Sequence, residues 1–168
     1  MQRRSFLQGL GAATAVGTGR PLFAASADAR RRSSAAPKIK LGMDNFAVRA
    51  MGWKAPALID YAASLKLDTL LISDLDALES LDDAPLRDVK RKADDAGIVL
   101  YAGGWSICPT SKTFRKNWGT AEEHLRLGLR VAQTLGSPVY RVVLGNMEDR
   151  KTEGGIRARI ADTVAVLK

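Results

Sequence analysis

The sequence predicts an α/β protein whose strands form a parallel sheet. Apolar segments typical of buried strands begin near residues 39, 69, 98 and 139, and an amphipathic helical pattern follows each of them. Successive strands start roughly 30 to 40 residues apart, which is the length of a βαβ unit with a right-handed crossover. Four such units fit two architectures, a small doubly wound sheet or one half of an eight-stranded barrel.

The first two units combine short strands with helices that begin at proline. Residues 39–43 form the first predicted strand, and Pro56 occupies the first turn of the helix that follows. Residues 69–72, with the sequence TLLI, form the second strand. Pro85 then starts the second helix, and Gly97 ends it. We expect both helices to pack their apolar faces on the sheet.

The third helix and the fourth strand give the clearest signal. Residues 98–102 form the third strand, and after a loop Thr120 and Glu123 show the spacing of a capping box at a helix start. Gly136 ends this helix, and residues 139–144 form the fourth strand. A last helix is predicted near the end of the sequence. Its apolar face is formed by Ile156, Ile160, Val164 and Leu167.

Composition and charge indicate an ordinary folded domain and argue against a nucleic-acid partner. The chain has 168 residues, of which 46% are hydrophobic, enough to bury one core. The net charge is +8, but residues 1–37 alone carry six arginines against one aspartate. The rest of the chain has 20 basic and 17 acidic side chains, so we expect no strongly basic surface there. The single cysteine, Cys108, excludes an internal disulfide.

Residues 1–27 have the features of an export signal. Arg3 and Arg4 form a charged start, a short apolar segment follows, and small residues surround a predicted cleavage site after Ala27. The apolar segment is too short and too rich in glycine for a stable membrane span. The start of the chain resembles the twin-arginine signal, with Gln8 in place of the usual lysine, which implies export of the folded protein to the periplasm. The alternative is an ordinary basic N-terminus.

Three segments of the remaining chain resemble the first half of a known enzyme family. They are residues 60–71, 92–100 and 135–145, which run from DYA to LDTLL, from KA to GIVL and from LGSP to RVVLG. They resemble the sugar phosphate isomerase/epimerase family of xylose isomerase-like TIM barrels, which also contains relatives of type IV apurinic endonucleases. The resemblance covers residues 38–168, after a polar linker predicted at residues 28–37. The sequence departs from the family at Lys66, where glycine is common, and at Ser73-Asp74, where glutamate is common.

The resemblance implies a TIM (β/α)8 barrel, of which this chain holds four βα units as a truncated half barrel. It also implies a sugar or sugar phosphate as substrate, with proton transfer between adjacent carbons through an enediolate. The family's divalent metal would be held by Glu, Asp and His of the later strands, so we expect no metal ligands in this chain. The alternative is a non-catalytic carbohydrate-binding or dimerising module, a possible homodimer whose second copy covers the open sheet edges. A nuclease would need several histidines and a basic surface.

Residues at the carboxyl ends of the predicted strands are the candidate substrate-binding residues, because that edge of a barrel carries the site. Trp105 offers a flat surface to a sugar ring. Arg141 alternates with residues expected under the helices, so we predict that it faces the barrel interior and pairs with a substrate phosphate or with a carboxylate such as that of Asp74. The alternatives are an Arg141 that extends to the bottom surface, and solvated loop residues for the whole set. The candidates are Asn45, Asp74, Trp105, Arg141 and Asn146, and no catalytic residue is assigned.

The single histidine and the two glycine pairs do not indicate a further site. His124, the single histidine, is expected on the surface of the third helix, because it lies off the apolar stripe and has no partner at metal-ligand spacing. The pairs Gly103-Gly104 and Gly154-Gly155 lack the spacing of a phosphate-binding loop. We interpret both pairs as turns.

Overall fold

The predicted strands form one parallel sheet in the computed structural model, which describes residues 39–168. The signal predicted for residues 1–27, with Arg3, Arg4 and the cleavage site after Ala27, lies outside the described residues. The linker predicted for residues 28–37 lies outside them as well. Both stay predictions.

Strands and helices alternate along the described residues. The strands are β1 Gly42–Asp44, β2 Thr69–Ile72, β3 Val99–Gly104 and β4 Tyr140–Val142. The α-helices are α1 Ala55–Ser64, α2 Asp83–Asp95, α3 Ala121–Thr134 and α4 Gly155–Leu167. A short 3-10 helix lies in each loop between a strand and the following α-helix. These are Asn45–Met51, Leu75–Ala77, Lys116–Trp118 and Glu148–Lys151.

The order of the strands distinguishes the two predicted architectures. Each strand pairs in parallel with the strand before it, so the order is β1-β2-β3-β4. Right-handed crossovers between neighbours in this order place the helices on one face of the sheet. In a doubly wound sheet the order reverses and helices cover both faces. The α/β class with a parallel sheet is therefore confirmed, and these four strands are not doubly wound.

The core lies between the sheet and the helices. Alternate strand residues face it, whereas Leu71 and Tyr101, on the opposite sheet face by strand alternation, do not belong to its cluster. Full burial of each large aliphatic side chain stabilises the fold by roughly 1.5 to 3 kcal/mol. The core combines Leu70, Ile72, Leu100 and Ala102 of the sheet with Leu58, Ile59, Leu86 and Val131 of the helices.

Two local predictions are confirmed by the observed bonds. Strand β2 occupies residues 69–72 as predicted. At the start of α3, the Glu123 N–H donates to Thr120 Oγ1 at 3.2 Å, and the Thr120 N–H donates to Glu123 Oε2 at 2.7 Å. This reciprocal pair satisfies two backbone donors that a helix start would otherwise leave free.

The turn predicted at Gly103-Gly104 is wrong, because both residues belong to β3. A Cβ on Gly104 would lie 2.1 Å from the Tyr140 hydroxyl oxygen, and a Cβ on Gly128 would lie 2.1 Å from Tyr140 Cζ. Tyr140 therefore fits between β3 and α3 only because both neighbours lack a side chain. The other pair, Gly154-Gly155, is a turn only at its first residue: Gly154 precedes α4, Gly155 is the first residue of that helix, and their φ angles are 68° and 50°.

The apolar face predicted for α4 does not pack on the core. Its buried residues are instead Arg159 and Thr163. Arg159 Nη1 donates to Thr152 Oγ1 at 2.9 Å, so the helix is attached through polar groups to the loop that precedes it. The physical reason is the position of the helix, since α4 packs mainly against α3 and the 148–151 turn and not against the sheet. Ile156, Ile160, Val164 and Leu167 are left exposed.

Candidate functional site

A cavity of about 240 Å³ opens at the carboxyl ends of the strands. Every strand contributes to it, because the last residue of each strand or the residues just after it turn their side chains to this edge. Ligands bind at this edge in parallel α/β sheets. The lining residues are Asp44, Phe46, Ser73, Asp74, Gly104, Trp105, Arg141 and Val143.

An ion pair crosses the cavity edge from the first strand to the last. Arg141 Nη2 lies 3.2 Å from Asp44 Oδ2, and both side chains are about one-third exposed. The Phe46 N–H donates to the other oxygen of Asp44 at 2.9 Å, which orients the carboxylate. Tyr140 packs against α3, so Arg141 lies on the sheet face away from the helices, as strand alternation predicts. Its carboxylate partner is Asp44 and not Asp74.

Asp74, Trp105 and Arg115 form a second cluster in the wall of the cavity. The Trp105 indole N–H donates to Asp74 Oδ2. Arg115 Nη1 lies 3.3 Å from the same oxygen and 2.7 Å from Asp76 Oδ2. The guanidinium carbon of Arg115 lies 4.1 Å from the centroid of the Trp105 ring, which is cation–π distance. Trp105 is therefore held at its edge by a carboxylate and on one face by a cation.

Asn45 positions the site and has no free side-chain oxygen. The backbone N–H and the hydroxyl of Ser73 both donate to Asn45 Oδ1, each at 2.8 Å. These bonds fasten the end of β2 to the residue after β1. The Asn45 side chain is nearly buried, and its oxygen accepts both bonds from Ser73. We therefore interpret Asn45 as a residue that supports the cavity wall.

Asn146 lies outside the cavity, in the loop after β4. Its side-chain oxygen accepts from the backbone N–H groups of Glu148 and Asp149, at 2.9 and 3.2 Å. It caps the 148–151 turn, and it is exposed. The structure therefore brings Asp74, Trp105 and Arg141 together, places Asn45 behind them, and separates Asn146 from them.

Asp149 is a buried carboxylate that ties two loops together. It accepts from the Ser111 hydroxyl at 2.9 Å and from the N–H groups of Lys112 and Asn146, both at 2.8 Å. These bonds hold the pKa of Asp149 below its usual range, with the Asn146 N–H as the largest cause. The loop between β3 and α3 is thereby fixed to the loop after β4. No local sequence pattern marks Asp149.

The prediction that His124 lies on the surface is wrong. Its side chain is fully buried, and Nε2 lies 3.3 Å from the Tyr140 hydroxyl oxygen. Its position in the first turn of α3 faces the sheet because Gly104 and Gly128 leave room for the two rings. Burial lowers the pKa of His124, with the nearby Asp74 charge opposing the shift, and burial raises the pKa of Tyr140. Within residues 39–168, His124 Nδ1 has no hydrogen-bond partner.

The described residues do not fit a divalent metal. Among residues 39–168, no three or more His, Cys, Asp or Glu side chains are grouped as metal ligands. The two cavity carboxylates already have partners, since Asp44 pairs with Arg141 and Asp74 accepts from Trp105 and Arg115. A metal at this position would have to displace both sets of contacts, so we derive no step through it.

No helix in the part of the chain that the structure describes is long and apolar enough to cross a membrane. Comparison with known proteins found no protein-family model that matches this sequence and no match among curated proteins.

Proposed function

We propose that this protein binds a sugar or sugar phosphate at the carboxyl edge of its sheet and is related to the sugar phosphate isomerases and epimerases. One observation carries the proposal: two carboxylates, an arginine and an indole ring line a single cavity of about 240 Å³. Carboxylates and arginine supply complementary acceptors and donors for sugar hydroxyls. An aromatic ring packs against the C–H face of a sugar.

The cavity residues have separate roles in this proposal. The carboxylates of Asp44 and Asp74 accept hydrogen bonds from hydroxyls, and Arg141 donates to a hydroxyl or carbonyl oxygen. An isomerase moves a proton between adjacent carbons, and a positioned carboxylate is a suitable group to carry it. Asp44 and Asp74 are the two carboxylates that line the cavity, so they are the candidates for this transfer. The resemblance implies that the metal is held by later strands of the barrel, so none of the roles given to these cavity residues involves a metal.

The strand arrangement supports a half barrel. Helices on one face and sequential strand order are the arrangement of a (β/α)8 barrel. In a flat sheet β1 and β4 would be about 14 Å apart, three strand spacings. The 3.2 Å contact between Asp44 and Arg141 therefore means that both side chains reach across the inner face, which supports a sheet curved towards that face.

Binding and proton transfer can be tested on the full chain. We would titrate ¹⁵N-labelled protein with glucose, xylose, ribose and the phosphate esters of these sugars, and follow deuterium incorporation at carbon 2 of each sugar in D₂O. The expected result is binding that the substitutions Trp105→Phe and Arg141→Met each weaken about tenfold, because each removes a direct contact. Trp118→Phe is the control, since Trp118 packs near the core and does not line the cavity. Absence of binding to these sugars and their phosphates would overturn the proposal.

Export by the twin-arginine route is a separate proposal. It rests on Arg3 and Arg4 followed by Phe6-Leu7. Residues 1–37 fused to a folded fluorescent protein should carry it to the periplasm of a bacterium with this machinery. Replacement of both arginines by lysine keeps the charge and should abolish export, whereas Arg20→Lys should not. Equal export of the two variants would contradict the proposal.

A second candidate function is a non-catalytic carbohydrate-binding or dimerising module. It is favoured by the exposed apolar face of α4, and by β1 and β4, each of which has one edge without a partner strand among residues 39–168. A second copy would cover both edges and the inner sheet face. Sedimentation velocity over a range of concentrations tests this. A concentration-independent monomer would overturn the dimer, and sugar binding without deuterium exchange would favour the binding module over the isomerase.

A further inference from the structure

A second cleft, of about 380 Å³, lies beside the first one and shares part of its wall. Phe46, Ser73, Asp74 and Trp105 line both clefts. Arg141 lines only the first cleft and Arg115 only the second. The indole ring and the Asp74 carboxylate therefore separate two adjoining spaces. One ligand of more than sugar size can extend from one space into the other.

The second cleft is lined by three cationic side chains and two anionic ones. The cations are Arg49, Lys54 and Arg115, and the anions are Asp74 and Asp76. Arg115 contacts both carboxylates, so its charge is matched within the wall. Arg49 and Lys54 are not matched in this way. The cleft has one positive charge in excess.

Arg49 and Lys54 are held in place by backbone carbonyl groups. Arg49 Nη1 donates to the Phe46 carbonyl at 2.9 Å, and its guanidinium carbon lies 4.1 Å from the centre of the Phe46 ring. Lys54 Nζ donates to the Asp76 carbonyl. Within residues 39–168, neither side chain forms an ion pair with a carboxylate. Both cations are thus positioned while their charges stay available to a ligand.

This arrangement suits an oxyanion. A guanidinium presents paired N–H donors to a carboxylate or phosphate, and an ammonium adds a point charge. An unpaired cation at the surface is solvated, so a second cation and a fixed geometry are what make an anion bind there in preference to water. A neutral sugar hydroxyl can accept a hydrogen bond from these groups but leaves their positive charges uncompensated, whereas an oxyanion accepts the bond and compensates the charge. The residues therefore select for a charged group.

We propose that the second cleft is an oxyanion subsite, formed by Arg49 and Lys54, for a phosphate or carboxylate carried by a sugar whose ring lies in the first cleft. This inference rests on the proposed function, because it takes the first cleft as the sugar site. It narrows the ligand class from sugars in general to anionic sugars. Arg115 lies on the Trp105 ring in the wall of the same cleft and pairs with Asp74 and Asp76.

Four probes and one double variant test the subsite on the full chain. We would titrate ¹⁵N-labelled protein with inorganic phosphate, glucose, glucuronate and glucose 6-phosphate at low salt. Inorganic phosphate should shift the side-chain signals of Arg49 and Lys54, and 0.5 M sodium chloride should remove the effect by screening. At least one anionic sugar should bind about tenfold or more tighter than glucose. The two anionic sugars distinguish a phosphate from a carboxylate as the source of the charge.

The variant Arg49→Gln/Lys54→Met should abolish phosphate binding and the advantage of the anionic sugar, and leave the affinity for glucose unchanged. The control Arg126→Gln/Lys151→Met removes the same charge from two exposed ion pairs elsewhere and should change neither.

An anionic advantage that survives in the first variant, or no binding of phosphate at all, would overturn the subsite. Glucose binding without phosphate binding would overturn the subsite but not the proposed function. Phosphate binding that depends on both cations, with no sugar bound in any form, would confirm an oxyanion site at these cations, but it would overturn the proposed function and the sugar as carrier of the anion.

Discussion

Helices α3 and α4 are almost equal in length, at 14 and 13 residues, yet they are attached to the protein in opposite ways. α3 begins with a capping box, buries Val131 and Ala132 against the sheet, and encloses His124 with Tyr140. α4 has no side-chain cap, buries Arg159 and Thr163, and leaves its large apolar side chains exposed. An apolar stripe indicates which face of a helix can be buried. The neighbouring elements decide whether it is.

The largest effect is expected from a substitution that breaks the packing of α3 on β4. Gly128→Val places a side chain where even a Cβ would lie 2.1 Å from Tyr140 Cζ, so the helix must move away from the sheet. We expect the free energy of unfolding to fall by about 3 kcal/mol, the upper range for overpacking. Urea denaturation measures it. Ala161→Val is the control on the exposed side of α4, and a loss as large as that of Gly128→Val would contradict the comparison.

The next effect concerns the connection that precedes α4. Asp149→Ala leaves three donors, Ser111 Oγ and the N–H groups of Lys112 and Asn146, without their acceptor, and should cost about 2 kcal/mol. Because the pKa of Asp149 is lowered by folding, its contribution is present above the unfolded-state pKa and is lost as the pH falls through the folded value. The difference in urea midpoint between the wild type and Asp149→Asn should therefore be smaller at pH 3 than at pH 7. Parallel pH profiles would contradict this role.

A smaller, pH-dependent effect concerns the buried histidine of α3. Folding lowers the pKa of His124, so the unfolded chain binds the proton more tightly. The free energy of unfolding should be constant above the unfolded pKa of about 6.5 and should fall below it, by no more than about 1.4 kcal/mol per pH unit. His124→Gln should remove this slope between pH 7 and pH 5. If the unfolding free energy of that variant depends on pH as in the wild type, the group that titrates is not His124.

The smallest effect is expected on the exposed face of α4. Ile160→Ser changes a side chain that is 48% exposed, so the unfolding free energy of the monomer should change by no more than about 0.5 kcal/mol. If a second copy covers this face, the same substitution should shift the sedimentation coefficient towards that of the monomer. Val131→Ser, on the buried face of α3, is the contrasting variant and should destabilise strongly. A loss of several kcal/mol in Ile160→Ser would show that the α4 face is buried in solution.

Local patterns predicted local structure well. The apolar segment TLLI predicted β2, and the capping box predicted the start of α3, because the forces involved act within a few residues. The strand-end rule placed Asp74 and Trp105 at one edge, strand alternation pointed Arg141 towards the inner face, and all three line the cavity. Their partners could not be predicted in this way. Arg115 contacts Asp74 from a loop 41 residues away, and the choice of Asp44 for Arg141 depends on how the sheet curves.

The incorrect predictions also have a physical origin in distant contacts. Gly103-Gly104 was interpreted as a turn because glycine pairs usually mark one, but glycine is required there by Tyr140 and by the Arg141 carbonyl. The surface position predicted for His124 rests on its place off the apolar stripe, whereas Gly104, which lacks a side chain, leaves room for its ring against the sheet. The exposed face of α4 could not be anticipated, since periodicity carries no information about which surface lies opposite a helix.

The sequential order of the strands has a consequence for how the sheet is made. Gly42 pairs with Thr69, Thr69 with Val99 and Ala102 with Tyr140, so each strand finds its partner roughly 30 to 40 residues earlier in the chain. A nascent chain, which leaves the ribosome N-terminus first, can therefore complete each pairing as soon as one further unit has emerged. The sheet grows by addition at a single edge, and none of the four strands in residues 39–168 has to wait for a distant partner or insert between two that are already paired.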